Sequence, residues 1–196
     1  MKYLSILFAA ALISIAAKAQ DHKFELGLTG GGDISWVENE AFDHYPLGWS
    51  AGLNAQFNWT ERFALNTKFL YHEMIVKTEN SSGNFKMTMK SFAIPFTARY
   101  MIGQSKLKVL LDAGLQYTRG YREILDSEFV GGVVEVLNNP AHWHKGALVF
   151  GTGAKYAFTD RLSGTMEARL VIHESNLTGN VYSENSQLFF GITYGL

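Results

Sequence analysis

Large apolar residues alternate with small or polar ones along most of the chain, from near Phe24 to the last residue, Leu196. A period of two marks a two-faced β-strand, because successive side chains leave opposite sides of an extended backbone. Leu47 to Trp59 shows it most clearly. Leu47, Trp49, Ala51, Leu53, Ala55, Phe57 and Trp59 share one face, and Gly48, Ser50, Gly52, Asn54, Gln56 and Asn58 share the other. Read onward, the alternation predicts eight strands: about Lys23 to Trp36, Leu47 to Trp59, Phe63 to Ile75, Thr88 to Ile102, Leu107 to Tyr121, Lys145 to Phe158, Leu162 to His173 and Gln187 to Leu196. No helix-period segment lies between them.

The connections alternate in length. Thr60 to Arg62, Gly103 to Lys106 and Thr159 to Arg161 are short enough for tight hairpins, whereas Val37 to Pro46, Val76 to Met87, Arg122 to His144 and Glu174 to Ser186 are longer. Each strand reaches the roughly 9–11 residues that cross a bilayer at a tilt. The expectation is an all-β fold: an eight-stranded antiparallel up-and-down transmembrane β-barrel with short periplasmic turns and longer extracellular loops.

Comparing the two faces tells which one points inward. One carries Leu65, Phe69, Phe92, Ile94, Phe96, Val109, Leu111, Leu115, Leu148, Phe150, Met166, Leu170, Phe190 and Ile192, with charges such as Lys90 and Arg119 confined to the loop ends. That face suits hydrocarbon. The other is rich in Gly, Ala, Ser, Thr and Asn, which fit the narrow interior of an eight-stranded barrel. Its few charges have both signs. With Tyr100 facing Val109, Arg99 lies diagonal to Asp112; with Phe158 facing Leu162, Lys155 lies diagonal to Glu167, and Arg169 is one step further. Together with Lys68 and Glu25 these form an expected ion-pair lattice filling the lumen, and an ion path is disfavoured by the small bore. Pro95, lacking an N–H, points to a bulge or local irregularity in its strand.

Aromatic residues fall into two bands, as barrels anchored at both membrane interfaces require. Trp59, Phe63, Tyr100, Phe158 and Tyr194 lie near the turn end, and Trp36, Trp49, Tyr71 and Tyr121 near the loop end. Ahead of the strands, Met1-Lys2, the apolar run from Tyr3 to about Ala17, and Ala17-Lys18-Ala19 read as a secretory signal peptide over residues 1–19, cut before Gln20. Residues 20–196 then form one barrel domain. The absence of Cys excludes disulfides, a lipid-anchoring cysteine and thiolate chemistry, and a net charge of −1 gives no nucleic-acid footprint.

Ser91-Phe92-Ala93-Ile94-Pro95-Phe96-Thr97-Ala98-Arg99-Tyr100, Leu110-Leu111-Asp112-Ala113-Gly114-Leu115 and Phe150-Gly151-Thr152-Gly153-Ala154-Lys155-Tyr156 resemble the strands of the PorT-like outer-membrane β-barrel family of the Bacteroidetes. The final Phe190-Gly191-Ile192-Thr193-Tyr194-Gly195-Leu196 resembles its closing strand and assembly signal, departing from the pattern in ending on Leu rather than an aromatic residue. The resemblance spans essentially the whole mature length. It implies a barrel in the bacterial outer membrane, folded there by the barrel-assembly machinery and bathed in outer-membrane lipids. Some members serve protein secretion.

Chemistry-bearing motifs are few. His173-Glu174-Ser175-Asn176, followed by Glu184, is similar to the His-x-Ser-Asn element of outer-membrane lipid A deacylases, in which Ser attacks, His is its base and a carboxylate orients the His. Strand parity places His173 and Ser175 inward, away from any lipid substrate. His142 and His144 have a spacing at which two imidazoles share one face, but a metal needs further ligands, and surface-loop residues are the expectation. His22, His44 and His72 lie in no motif, and no cofactor is expected. Gly30-Gly31-Gly32-Asp33 is not followed by a helix and reads as closely packed strand backbone.

The chain therefore reads as a small, non-enzymatic outer-membrane barrel with a structural, binding or secretion-accessory role. Its expected contact surface is the loop from Arg122 to His144, with Phe129 to Val136 able to prolong the strands as a hairpin. Two competing classes are the lipid hydrolase and a soluble lipocalin-like carrier, whose apolar face would turn inward.

Overall fold

A computed structural model describes residues 23–37, 47–80, 83–103, 106–129, 141–173 and 183–196; the expected signal peptide and cleavage site lie outside them. Eight strands run in chain order: β1 (Phe24–Val37), β2 (Leu47–Asn58), β3 (Phe63–Asn80), β4 (Gly83–Ile102), β5 (Leu107–Phe129), β6 (Ala141–Ala157), β7 (Leu162–His173) and β8 (Ser183–Gly195). Each pairs antiparallel with the next, and β1 closes on β8 from Glu25–Gly195 to Val37–Ser183. Closure leaves no unpaired sheet edge in the wall, which is what hydrocarbon demands of a β-structure.

The apolar face points outward. Leu28 is 68% exposed, Leu53 59%, Leu115 64% and Phe190 55%, whereas Arg99 is 1% and Lys68 2% exposed. This arrangement is the inverse of a soluble carrier and excludes the lipocalin reading. Described aromatic side chains sit at both ends: Trp59 (74% exposed) and the Phe63–Tyr100 pair, with ring centroids 4.8 Å apart, at the turns, and the Trp49–Tyr71 pair at 5.5 Å toward the loops. The side chains of Trp36 and Tyr121 lie outside the description.

Several strands outrun their expected limits. β3 reaches Asn80 and β4 begins at Gly83, so most of the expected loop from Val76 to Met87 is paired hairpin. β5 continues to Phe129, β6 starts at Ala141 and β8 starts at Ser183. Alternation fades where both faces of a strand leave the hydrocarbon and the packed lumen, yet the backbone ladder continues because it needs only N–H and C=O groups. At 18, 20 and 23 residues, β3, β4 and β5 stand well beyond β2, β7 and β8, at 12, 12 and 13. The β4–β5 pairing reaches Gly83–Phe129, with a register shift at Lys86/Met87.

The β6–β7 register is as expected: Phe158 N–H donates to the Leu162 carbonyl (2.9 Å), and Lys155 lies opposite Thr165. The β4–β5 register differs. Tyr100 faces Leu111 rather than Val109, and Arg99 lies directly opposite Asp112. Gly103, at φ +128°, turns the chain so that pairing with β4 resumes only at Val109. A slip of two residues keeps every side chain on its face, so the face assignment survives. At Pro95 there is no bulge toward β5, where Pro95 pairs with Gln116 in unbroken register. On the other side the β3 ladder steps from Thr67–Phe96 to Leu70–Ala93 without changing register, and Thr67 Oγ1 donates to the Pro95 carbonyl at 3.0 Å.

Candidate functional site

The inward face of β3 reads the lumen in layers from turn to loop: Ala64, Asn66, Lys68, Leu70 and His72. Ala64 meets Met101 and Leu110 in an apolar floor. Above it lies a polar and ionic layer. Leu70, Ala93 and Phe189 then form an apolar constriction, with Ala147, Val149 and Val171 in a second buried cluster on β6 and β7. A polar chamber follows at the loop end.

In the ionic layer, five expected lattice residues converge. The Arg99 guanidinium donates to both Asp112 oxygens at 2.8 Å, a fork-to-carboxylate fit, and to Gln56 Oε1 at 2.9 Å. Glu167 Oε2 accepts from Lys68 Nζ at 2.9 Å and from Arg169 Nη2 at 2.8 Å. Its Oε1 lies 2.9 Å from Arg99 Nη2, an ion pair whose angles fall short of a hydrogen bond. Arg169 Nη2 also approaches Asp112 at 3.6 Å. All five side chains are at most 2% exposed. Lys68 and Arg169 lie 4.8 and 5.7 Å from the centroid of the Phe189 ring, so the apolar constriction rests on the ions.

The remaining two residues pair elsewhere. Lys155 reaches across the lumen to Glu25 (2.6 Å to Oε1), not to its diagonal neighbour Glu167. Asn58 and Thr193 also donate to Glu25, at 2.9 and 3.3 Å. Strand register names only adjacent-strand neighbours, whereas the bore is narrow enough for β6 to meet β1. The Asn66–Asn54 amide bond (2.7 Å) fills part of the space between.

The loop-end chamber carries groups that no motif announced. Asp33 Oδ2 lies 2.9 Å from His72 Nδ1, and Ser50 Oγ donates to Asp33 Oδ1 at 3.4 Å. The hydroxyl is thus on the carboxylate and not on the free imidazole nitrogen, an order unlike that of a nucleophilic triad. His173 Nε2 is 3.4 Å from Asn185 Nδ2. His72 Nε2, His173 Nδ1, Gln116 Oε1 and Gln187 Oε1 are buried without a protein partner among the described residues. Trp143 lies over Gly120.

His173 itself is 6% exposed and faces the lumen. Ser175 lies outside the described residues; Glu184 pairs in β8 with Ile172 and Trp36, and its side chain is not described. His142 and His144 are in strand β6 rather than in a loop, both exposed on its outer face. His144 Nδ1 is 2.6 Å from Tyr117 Oη. No group of three or more His, Asp, Glu or Cys able to hold a metal occurs among the described residues.

A closed eight-stranded wall, apolar outside and ion-paired within, with aromatic bands at both ends, defines an outer-membrane β-barrel protein. The chain belongs to the outer membrane protein beta-barrel domain family, which it matches over residues 5–194. No curated protein sequence matches it. Among solved structures it is similar to Neisserial surface protein A, at 17% identity and TM-score 0.61, covering 89% of this chain and 97% of that one. It is also similar to the attachment invasion locus protein Ail of Yersinia pestis, at 12% and 0.50, covering 88% and 99%. OprG of Pseudomonas aeruginosa follows at 10% and 0.53, covering 88% and 95%. At such identities the likeness is one of fold.

Proposed function

We propose that this protein is a non-enzymatic outer-membrane barrel of the PorT-like type that holds an envelope or secretion partner through its extracellular segment from Arg122 to His144. The observation supporting this reading is the extension of β3, β4 and β5 well beyond β2, β7 and β8. A lumen plugged by ions and apolar side chains offers no transport route, so a role at the surface is favoured. Elongated strands give a stiff platform for that role, whereas a bare loop would lose more conformational entropy on binding. The mature chain begins at Gln20 after removal of the signal peptide, is folded by the barrel-assembly machinery, and contacts outer-membrane lipids along its apolar wall.

A hydrolase acting through His173, Ser175 and Glu184 is disfavoured because His173 faces the lumen, away from a lipid substrate. The test is removal of residues 130–140 with the flanking strands rejoined. The barrel should still reach the outer membrane and migrate anomalously on a denaturing gel until heated, while in vivo photocrosslinks from this segment to an envelope protein disappear. Crosslinks that are absent from the intact chain, or unaffected by the deletion, would overturn the reading.

A further inference from the structure

On the outward faces of β4, β5 and β6, the residues change character at one level. Toward the loop end, Phe92 gives way to Lys90 on β4, Tyr117 to Arg119 on β5, and Gly146 to His144 on β6. Phe92 lies opposite Arg119, Arg119 opposite His144, and Lys90 opposite Tyr121. Directly opposed Cβ atoms are about 5 Å apart and diagonal ones within about 8 Å, so the three nitrogen-bearing side chains border one patch. The other half of the wall has no cationic counterpart among the described residues; the charge at an outward loop-end register position there is the acidic Glu184 of β8, opposite Ile172. Among the described residues, the outward positions 24–34 of β1, 47–57 of β2, 162–172 of β7 and 186–194 of β8 carry no charge. Among the described residues, positive charge at the loop end of the outward surface is therefore confined to this side of the wall.

Within the patch the groups divide their work. Glu73 lies opposite Lys90 and receives the Tyr71 phenol at 3.1 Å, so it offsets part of the Lys90 charge. Arg119 is exposed, with five N–H donors in a fork that fits a tetrahedral oxyanion. The His144 ring stacks on Tyr117 with centroids 5.9 Å apart. Tyr117 Oη and His144 Nδ1 lie 2.6 Å apart and share one proton between them; in the tautomer in which the phenol donates, Nε2 carries a proton and is a donor. Just toward the membrane centre, Gly146 leaves a notch in the row of outward side chains: among the described residues, nothing lies within 4 Å of a Cβ built there. A cationic patch at the end of the apolar wall, with an open notch beneath it, complements a lipid that carries an anionic head above its acyl chains.

We propose that Arg119, His144 and Lys90 bind the phosphate monoester of an outer-leaflet lipid, one acyl chain of which lies in the Gly146 notch. This rests on the barrel's membrane placement and shares only His144 with the proposed partner-binding segment, so R119A and K90A test it without altering that segment. The folded full-length barrel in neutral detergent would be titrated with diphosphoryl lipid A, with its enzymatically dephosphorylated form and with inorganic phosphate, and bound lipid counted by native mass spectrometry. The phosphorylated lipid should be retained over the dephosphorylated form. R119A should weaken retention about fivefold and K90A/R119A roughly 25-fold, about fivefold per cation lost. R119K, which keeps the charge but not the planar fork, should fall between R119A and the parent, and G146L should weaken both lipids by a similar factor. Heat-shifted gel migration reports that each variant is folded. Equal retention of the two lipids, an R119A variant that binds like the parent, or displacement of the lipid by millimolar inorganic phosphate would each overturn the proposal.

Discussion

Glu167→Gln and Lys68→Met should have very different consequences, although each removes one member of the same buried ion pair. The central cluster sets three positive charges, on Lys68, Arg99 and Arg169, against two negative ones, on Asp112 and Glu167. One positive charge is therefore in excess. Glu167→Gln raises the excess to two and leaves Lys68 and Arg169 facing a neutral amide, both at 1% exposure or less to rescuing water. Breaking a buried pair in this way costs about 3–5 kcal/mol. Lys68→Met instead brings the cluster to balance. Glu167 keeps Arg99 and Arg169, and the Met stem still fills the space beneath Phe189. The expected cost is under about 1 kcal/mol, since a buried ion replaced by a well-packed apolar side chain is often neutral. The double variant should recover part of the Glu167→Gln loss. Urea-dependent folding into phospholipid vesicles, followed by tryptophan fluorescence and by the unheated gel band, measures these differences. A Lys68→Met variant as unstable as Glu167→Gln would refute the charge-balance argument and show instead that each hydrogen bond matters individually.

Gly114→Ala should lower the folded fraction, because its Cβ would stand 2.7 Å from the Thr97 backbone Cα; Gly146→Ala, whose Cβ meets no described atom within 4 Å, should fold as the parent does. The cost at Gly114 is about 1–3 kcal/mol, the range for overpacking, and the unheated gel band reports it. In planar bilayers the purified barrel should show no single-channel steps, since the lattice and the Leu70–Ala93–Phe189 constriction occupy the bore; regular unitary currents would contradict a closed lumen. The parent barrel should release no more fatty acid from lipid A than a protein-free control, measured by mass spectrometry of the lipid, and Ser175→Ala and His173→Ala should not change that level. Serine-dependent release would establish the hydrolase reading.

The number of strands, their order and the face each turns to the bilayer were legible in the residues alone. These depend on a period-two pattern and on turn lengths, both properties of a few consecutive residues. A two-residue register slip, such as the one between Tyr100 and Leu111, leaves that pattern unchanged. The charges of the lumen were equally legible as a set, because a charged residue on the small-residue face of a mid-strand segment has nowhere else to go. Their partners were not. Lys155 meets Glu25 across 130 positions of sequence, and Asp33 meets His72 from β1 to β3. Such contacts exist only after closure has set strand tilt and bore. Pattern also stopped short where β3, β4 and β5 pass beyond the membrane, since two wet faces impose no alternation although the backbone still pairs. Local periodicity thus determined the wall, and closure of the wall decided which side chains meet inside it and how far it stands above the membrane.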